Sequence, residues 1–428
     1  MFELPVEDWP KSNNNETRCP IEGFSFYVYD ELPSNFTSDI EDFICIRVQQ
    51  RQVVPENVAT EWALVQLFRT SPCRTMDPHN ATFLVVPYMH WSHCHFTEGI
   101  SQLDCRQISD GEMNALHAAL PYYPQHKLKH LYIQVQSDAM LKRAITAQTW
   151  RLVAGPTDGR LGSIVLPIFH DEPMYQPSML HQQLNDLEHQ NRQYSFVAFY
   201  NSVNRRMSGL KPRRFRRYFS RTVKSDLMNI PVDGETPADY SNNYTFCGKP
   251  FLAVDWGDKQ LGKYPQVDFM QKYRESILCP VLPGDSCWQR RIFDVIRNGC
   301  LPVVLEWQLD ANNNRRGWHT VQTACSIEES YPFLARQNKD ETLSIDYDSF
   351  VITAPGNPQD ETNVTSIFEA MKRVLNNPQE LARRQTKMKE YATLFTFGLG
   401  VDAHKYDDAF RHTLRILHAH SKSSLYPA

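Results

Sequence analysis

No stretch of this 428-residue chain approaches 18 consecutive apolar residues, so no segment reads as a membrane-crossing helix. An excess of basic charge is also lacking. Lys and Arg number 45 against 49 Asp and Glu, a net charge of −4. A broad nucleic-acid surface is therefore not expected. The one basic run, Arg205-Arg206 followed by Lys211-Pro212-Arg213-Arg214-Phe215-Arg216-Arg217, is short and local. No Gly-x-Ser-x-Gly elbow occurs, which removes the Ser-His-Asp hydrolases built on one. No Gly-x-Gly-x-x-Gly follows a strand pattern, which removes the dinucleotide oxidoreductases. His90, His93, Cys94 and His95 crowd together, but no partner motif with zinc spacing follows, so no metal site is expected. Internal repeats are absent, and Met1–Cys19 is polar, without the apolar core of a signal peptide.

What is present suits a globular α/β protein. Apolar residues make up 41% and aromatics 12% of the chain, enough for ordinary cores, and the length favours two domains over one. Strand patterns recur at Phe24–Tyr29, Thr82–Tyr88, His130–Gln136, Ser163–Phe169, Tyr194–Tyr200, Ser276–Leu282, Leu301–Glu306 and Phe350–Thr353. Helical patterns such as Asn57–Arg69 and Asp110–Leu120 fall between them, and this alternation predicts parallel sheets. The polar interval Met174–Gln193 is the expected domain boundary, and Asn377-Pro378 is the expected cap and first turn of a C-terminal helical region. The expected divisions are a polar segment over 1–23, domains over 24–185 and 186–377, and a helical segment over 378–428.

The most informative stretch is Ser276 to Glu306. An apolar strand leads into Pro283-Gly284-Asp285, which is turn chemistry. Ser286 with Gln289 forms a capping box, and Gly299 stands where a helix C-terminal glycine belongs. Leu301–Leu305 resumes a buried strand. Such a βαβ unit aims free N–H groups above Gly284–Ser286, which suits a phosphate. Within the helix, Ile292, Val295 and Ile296 share a packing face, while Arg291, Asp294 and Asn298 share another. Arg291 can neutralise a diphosphate and Asp294 can accept from ribose hydroxyls. An ordinary surface ion pair on an amphipathic helix accounts for the same spacing.

The blocks Gly284-Asp285-Ser286, Arg290-Arg291-Ile292-Phe293-Asp294 and Gly299-Cys300-Leu301-Pro302-Val303 together resemble the signature region of the exostosin-like glycosyltransferases (glycosyltransferase family 47). Further blocks are similar to that family in the same order: Phe26–Pro33, Ala81–Tyr88, His130–Ile133 with Asp138, Tyr331–Phe333 and Ile345–Val351. The resemblance covers roughly residues 24 to 375. Pro283 replaces the arginine that many members carry, and the loop from Gln308 to Ser330 reads as an insertion.

The resemblance implies a GT-B fold: two Rossmann-like domains facing across a cleft, with a C-terminal helix crossing back. It implies an inverting transfer of a sugar from a nucleotide-sugar, with a UDP-sugar as the expected donor, to a glycan or polysaccharide acceptor. No metal or other cofactor is expected. The implied donor contacts are Gly284, Asp285, Ser286, Arg290, Arg291, Asp294 and Arg205. The base should follow a strand of the first domain at its carboxyl edge. Asp138, His90 and Glu172 are the candidates there, with His170 and Asp171 beside them. Each could equally be a turn or cap residue. The competing reading is a non-catalytic paralogue that binds nucleotide or glycan or partners an active transferase. Homo- or hetero-oligomerisation stays open.

Ten cysteines and five N-x-Ser/Thr sequons, at Asn15, Asn35, Asn80, Asn243 and Asn363, fit an oxidising, glycosylating compartment. Ten reduced buried thiols would fit the cysteine count as well. With the resemblance, the expectation is a Golgi or endoplasmic reticulum lumenal enzyme whose anchor lies outside this chain.

Overall fold

The computed structural model describes residues 18–32, 36, 56–89, 92, 110–134, 150–153, 163–167, 177–189, 192–200, 210–230, 244–255, 269–282, 290–308, 316–319, 324–326, 331–333, 340–356, 364–399 and 403–422. The chain packs as two compact units. The first holds Met1–Leu180, Glu328–Ile345 and Thr393–Ala428, and the second holds His181–Ile327 and Asp346–Ala392.

The first unit is built on a wholly parallel sheet of β1 (Phe26–Val28), β2 (Phe83–Val86), β3 (His130–Gln134), β4 (Trp150–Val153) and β5 (Ser163–Val165), in chain order. All four side chains of β2 are buried, as a parallel strand covered on both faces requires. The helix α1 (Glu56–Thr70) buries Leu64, Val65 and Phe68, and Phe68 stacks edge-on against Phe26 at 5.1 Å. The helix α2 (Asp110–Ala119) brings Met113 and Leu116 into a core with Leu84, Val86 and Tyr132. A Cys19–Cys73 disulfide ties the chain before β1 to the segment that pairs with Phe26. The strand β4 was not expected from the sequence, since four residues with an arginine among them give no readable period.

The turn between α2 and β3 is lined with histidine and tyrosine. His130 Nδ1 donates to the His126 carbonyl at 2.8 Å, which leaves Nε2 as the acceptor for the Tyr29 hydroxyl at 2.9 Å. His117 stacks on Tyr123 with ring centroids 3.8 Å apart. Burial disfavours the imidazolium at both sites and pushes His117 and His130 down to about 4.

The helix α3 (Pro177–His189) contains the division between the units. The second unit has a parallel core of β6 (Tyr194–Tyr200), β8 (Lys249–Asp255), β9 (Ser276–Val281), β10 (Leu301–Gln308) and β13 (Ile352–Pro355). Their spatial order is β8-β6-β9-β10-β13, all parallel. The strand β7 (Thr245–Phe246) pairs antiparallel with β8 through a two-residue turn, Cys247-Gly248, with φ of 51° and 79°. Positive φ at both positions gives the mirror-image turn that matches strand twist. Short strands β11 (Arg316–His319) and β12 (Ala324–Ser326) extend β10 antiparallel.

Besides the end of α3, the described residues of this unit form the helices α4 (Leu210–Thr222), α5 (Phe269–Arg274), α6 (Arg290–Arg297), α7 (Val364–Leu375) and α8 (Pro378–Ala392). Phe196 and Phe251 stack at 4.9 Å, and Phe219 and Phe368 at 5.2 Å, in its core. The Asn377 side chain accepts from the Glu380 N–H at 3.1 Å, so the expected cap ahead of Pro378 is formed.

The helical region expected over 378–428 is two helices. The first, α8, ends in a 3-10 turn at Thr393–Phe395. The second, α9 (Ala409–Ser421), belongs to the first unit, where Phe410 meets Phe68 at 4.9 Å. The break is held by Asp408. Its carboxylate accepts from the Arg411 N–H at 2.9 Å, capping α9, and from the Gly398 N–H at 2.6 Å. Burial pushes this carboxyl up to about 6, against the pull of those two N–H donors.

The histidine cluster sets a pH dependence. Its folded values lie below the ordinary 6.5. The unfolded chain therefore binds more protons between about pH 4 and 6.5. Stability should fall as pH drops through that window, by at most about 1.4 kcal/mol per pH unit for each group. Urea titrations at pH 7 and pH 5 measure this, and His117→Leu should flatten the dependence.

Candidate functional site

In the second unit the strand order makes the site. The chain passes from β6 outward to β8, then returns to the other side of β6 with β9 and continues to β10 and β13. The reversal lies between β6 and β9. In open α/β sheets, ligands bind above the carboxyl ends of the strands at such a reversal. The chain leaves those two strands through buried residues, Tyr200 and Leu282. Arg205 follows Tyr200, and Gly284, Asp285 and Ser286 follow Leu282. These four residues and Gln289 of the expected capping box lie outside the described residues.

The helix after the turn is described from Arg290, whose side chain lies outside the described residues. The end of the helix is as expected. Gly299 has φ 70°, its N–H donates to the Ile296 carbonyl at 3.0 Å, and the Cys300 N–H reaches the Val295 carbonyl at 2.9 Å. This pair of bonds is the Schellman closure, and it turns the chain directly into β10. Cys279 of β9 and Cys300, just before β10, form a disulfide across the crossover.

The polar face of α6 is less exposed than its spacing suggests. Arg291 is half-buried, while Asp294, Arg297 and Asn298 are buried. Asp294 forms an ion pair with Arg297 at 3.7 Å, and the Arg297 side chain is fully covered. Asn298 Nδ2 donates to the Asp294 carbonyl at 2.7 Å. Tyr273 of α5 lies within the field of both Arg291 and Asp294. Burial raises its phenol well above 10, with Arg291 opposing the rise and Asp294 adding to it. Arg291, Asp294 and Tyr273 thus act on one another electrostatically.

A second polar group sits at the strand ends themselves. Ser220 of α4 donates to Asp255 Oδ2 at 2.5 Å and lies 3.1 Å from the Tyr200 hydroxyl. Tyr200 and Asp255 face each other in register at the carboxyl ends of β6 and β8. Both are fully buried. Asp255 was missed because Lys249–Asp255 was not recognised as a strand; an acid closing the run Phe251-Leu252-Ala253-Val254 was the available signal.

In the first unit, the candidate bases His90, Asp138 and Glu172, with His170 and Asp171, lie outside the described residues, as do His93, Cys94 and His95. The strands that they follow are described. His90 and Asp138 come after β2 and β3, which pair directly, whereas Glu172 comes after β5, beyond β4. One buried contact fixes the chain past β2. Glu61 of α1, 1% exposed, accepts from the Ser92 N–H at 2.8 Å and the Ser92 hydroxyl at 2.7 Å. Glu61 shares its helix face with buried Leu64, Val65 and Phe68 (i+3, i+4, i+7), so an acid on an apolar stripe was the legible clue. Among the described residues, no group of three or more His, Cys, Asp or Glu could hold a metal ion.

The family model for the Exostosin GT47 domain matches residues 20–357. No curated protein matches the chain. A crystal structure of α,α-trehalose 6-phosphate synthase from Burkholderia multivorans overlays with 11% identity, covering 91% of this chain and 82% of that one. Its TM-score is 0.29, too low to support an inference about fold or activity.

Two outcomes follow for stability. Glu61→Ala strands two buried donors and should cost about 1–3 kcal/mol for each. Glu61→Gln keeps an acceptor oxygen and should lose markedly less; urea unfolding of both variants compares them. Replacing Cys279 and Cys300 with Ala opens a loop of separation 21 and should cost about 3 kcal/mol. Thermal unfolding of the double variant reads that loss.

Proposed function

We propose, from the premise that this chain belongs to the Exostosin GT47 domain family of glycosyltransferases, that it moves a sugar with inversion from a UDP-sugar to a glycan acceptor. The observation that carries the reading is the strand reversal of the second unit. The family's Gly284-Asp285-Ser286 turn follows β9, one of the two strands at that reversal, and Arg205 follows β6, the other. Two loops of this composition leaving adjacent strand ends suit a diphosphate.

The chemistry asks two things of the protein. An acceptor hydroxyl oxygen attacks the anomeric carbon as the C1–O bond to the diphosphate breaks. A base takes the hydroxyl proton, and positive charge meets the departing diphosphate. In this reading the N–H groups of Gly284–Ser286 with Arg205, Arg290 and Arg291 serve the leaving group. Asp294 accepts from the ribose, held in place by Arg297. Asp138 serves as the base, with His90 and Glu172 as the alternatives for that role. The Asp255–Ser220–Tyr200 group supports the strand ends from which the Arg205 loop departs. The sugar, the acceptor and the Golgi or reticulum location belong to the same proposal, and the Cys19–Cys73 and Cys279–Cys300 disulfides favour the location.

Calorimetry with UDP on folded variants is the test. A charge-assisted bond contributes about 1.5–3 kcal/mol, so Arg291→Ala should weaken UDP binding by about tenfold or more. Asp294→Asn should weaken UDP while leaving inorganic diphosphate binding unchanged. Parent-like UDP binding in both variants would place the donor elsewhere. UDP binding without turnover of any UDP-sugar in a hydrolysis and transfer screen would favour the non-catalytic paralogue.

A further inference from the structure

Asn80 is the one sequon asparagine among the described residues, and its surroundings are built. It lies in the turn Asp77–Asn80 that precedes β2, exposed to solvent. Both oxygens of Asp77 are engaged there. Oδ1 accepts from the His79 N–H at 2.9 Å and Oδ2 from Asn80 Nδ2 at 2.5 Å. Ser25 donates to the Asn80 carbonyl at 3.1 Å, and the Thr82 N–H donates to the Ser25 carbonyl at 2.9 Å. The asparagine and the threonine of Asn80-Ala81-Thr82 are thus both pinned to the strand edge.

Aromatic rings stand next to this amide. His79 is exposed, and its ring lies 5.7 Å from Tyr122 and 6.3 Å from His126. Tyr122 in turn meets Tyr27 at 5.9 Å. Tyr27, Tyr122 and His126 are each only half-buried. Met76, in the same segment, is 71% exposed, more than any other large apolar side chain described. The half-buried rings beside the Asn80 amide offer an open aromatic face. Aromatic faces are electron-rich, and the C–H face of a pyranose is their natural partner.

We propose that Asn80 carries an N-linked glycan and that its first sugar lies over the His79–Tyr122 shelf. The modification is a transfer from a lipid-diphosphate-linked oligosaccharide. A bond forms between Asn80 Nδ2 and the anomeric carbon, the C1–O bond to the lipid diphosphate breaks, and the amide gives up one proton. The second Nδ2 hydrogen remains for Asp77, so the existing bond orients the amide with the sugar attached. Disulfides in both units fit passage through the compartment where this transfer occurs. The proposal does not depend on the transferase reading.

The chain secreted from a eukaryotic host is the material for the test. Peptide mass spectrometry should find Asn80 occupied, and Asn80→Gln and Thr82→Ala should each remove one glycan. An unmodified Asn80 peptide from that protein overturns the proposal. The shelf is tested by a double-mutant cycle on the thermal midpoint. Asn80→Gln should lower the midpoint by about 2–4 °C, and in a Tyr122→Leu background that difference should vanish. Equal shifts in both backgrounds would show that the sugar does not rest on the shelf.

Discussion

Everything in the second unit follows from one topological constraint. Parallel strands cannot be joined by tight turns, so each must be reached by a crossover. When successive crossovers go first to one side of β6 and then to the other, the connecting segments part. A gap is left at the carboxyl edge between β6 and β9. The first unit has no such reversal among its described strands, because β1 to β5 lie in chain order. Among the described strands the reversal lies in the second unit, and the proposed donor site is placed there for that reason.

Buried carboxylates, and not apolar packing alone, hold chain segments in both units. Glu61 grips Ser92 beyond β2, Asp255 grips Ser220 at the end of β8, and Asp408 grips the Gly398 N–H ahead of α9. A buried carboxylate costs several kcal/mol of desolvation, which only well-placed donors offset. Each of these carboxylates accepts at least one hydrogen bond of 2.8 Å or shorter. Such contacts are directional where packing is not. They fix a loop to one position, as a site assembled from several loops requires.

Disulfides act on the same problem from the covalent side. Cys279–Cys300 closes the crossover through α6, and Cys19–Cys73 anchors the entry to β1. Both span chain that begins or ends at a sheet. The exposed Cys247 is free, in a turn of the edge hairpin.

Local signals were sufficient for local structure. The strand–helix–strand order of Ser276 to Glu306 is legible in the sequence, as are the glycine closure at Gly299 and the Asn377-Pro378 helix start. Each depends on residues within a few positions of one another. The family resemblance was likewise carried by short blocks in fixed order. What lay beyond reach was non-local. Nothing near Asp294 in the sequence says that its helix face is covered, or that buried Arg297 lies 3.7 Å from its carboxylate. The bond from Glu61 to Ser92 spans 31 residues, and that from Ser220 to Asp255 spans 35. The sequence thus determined which residue types stand at the strand ends. Only the tertiary structure decided which strand ends are neighbours, because parallel pairing has no short turn to record its order in the chain.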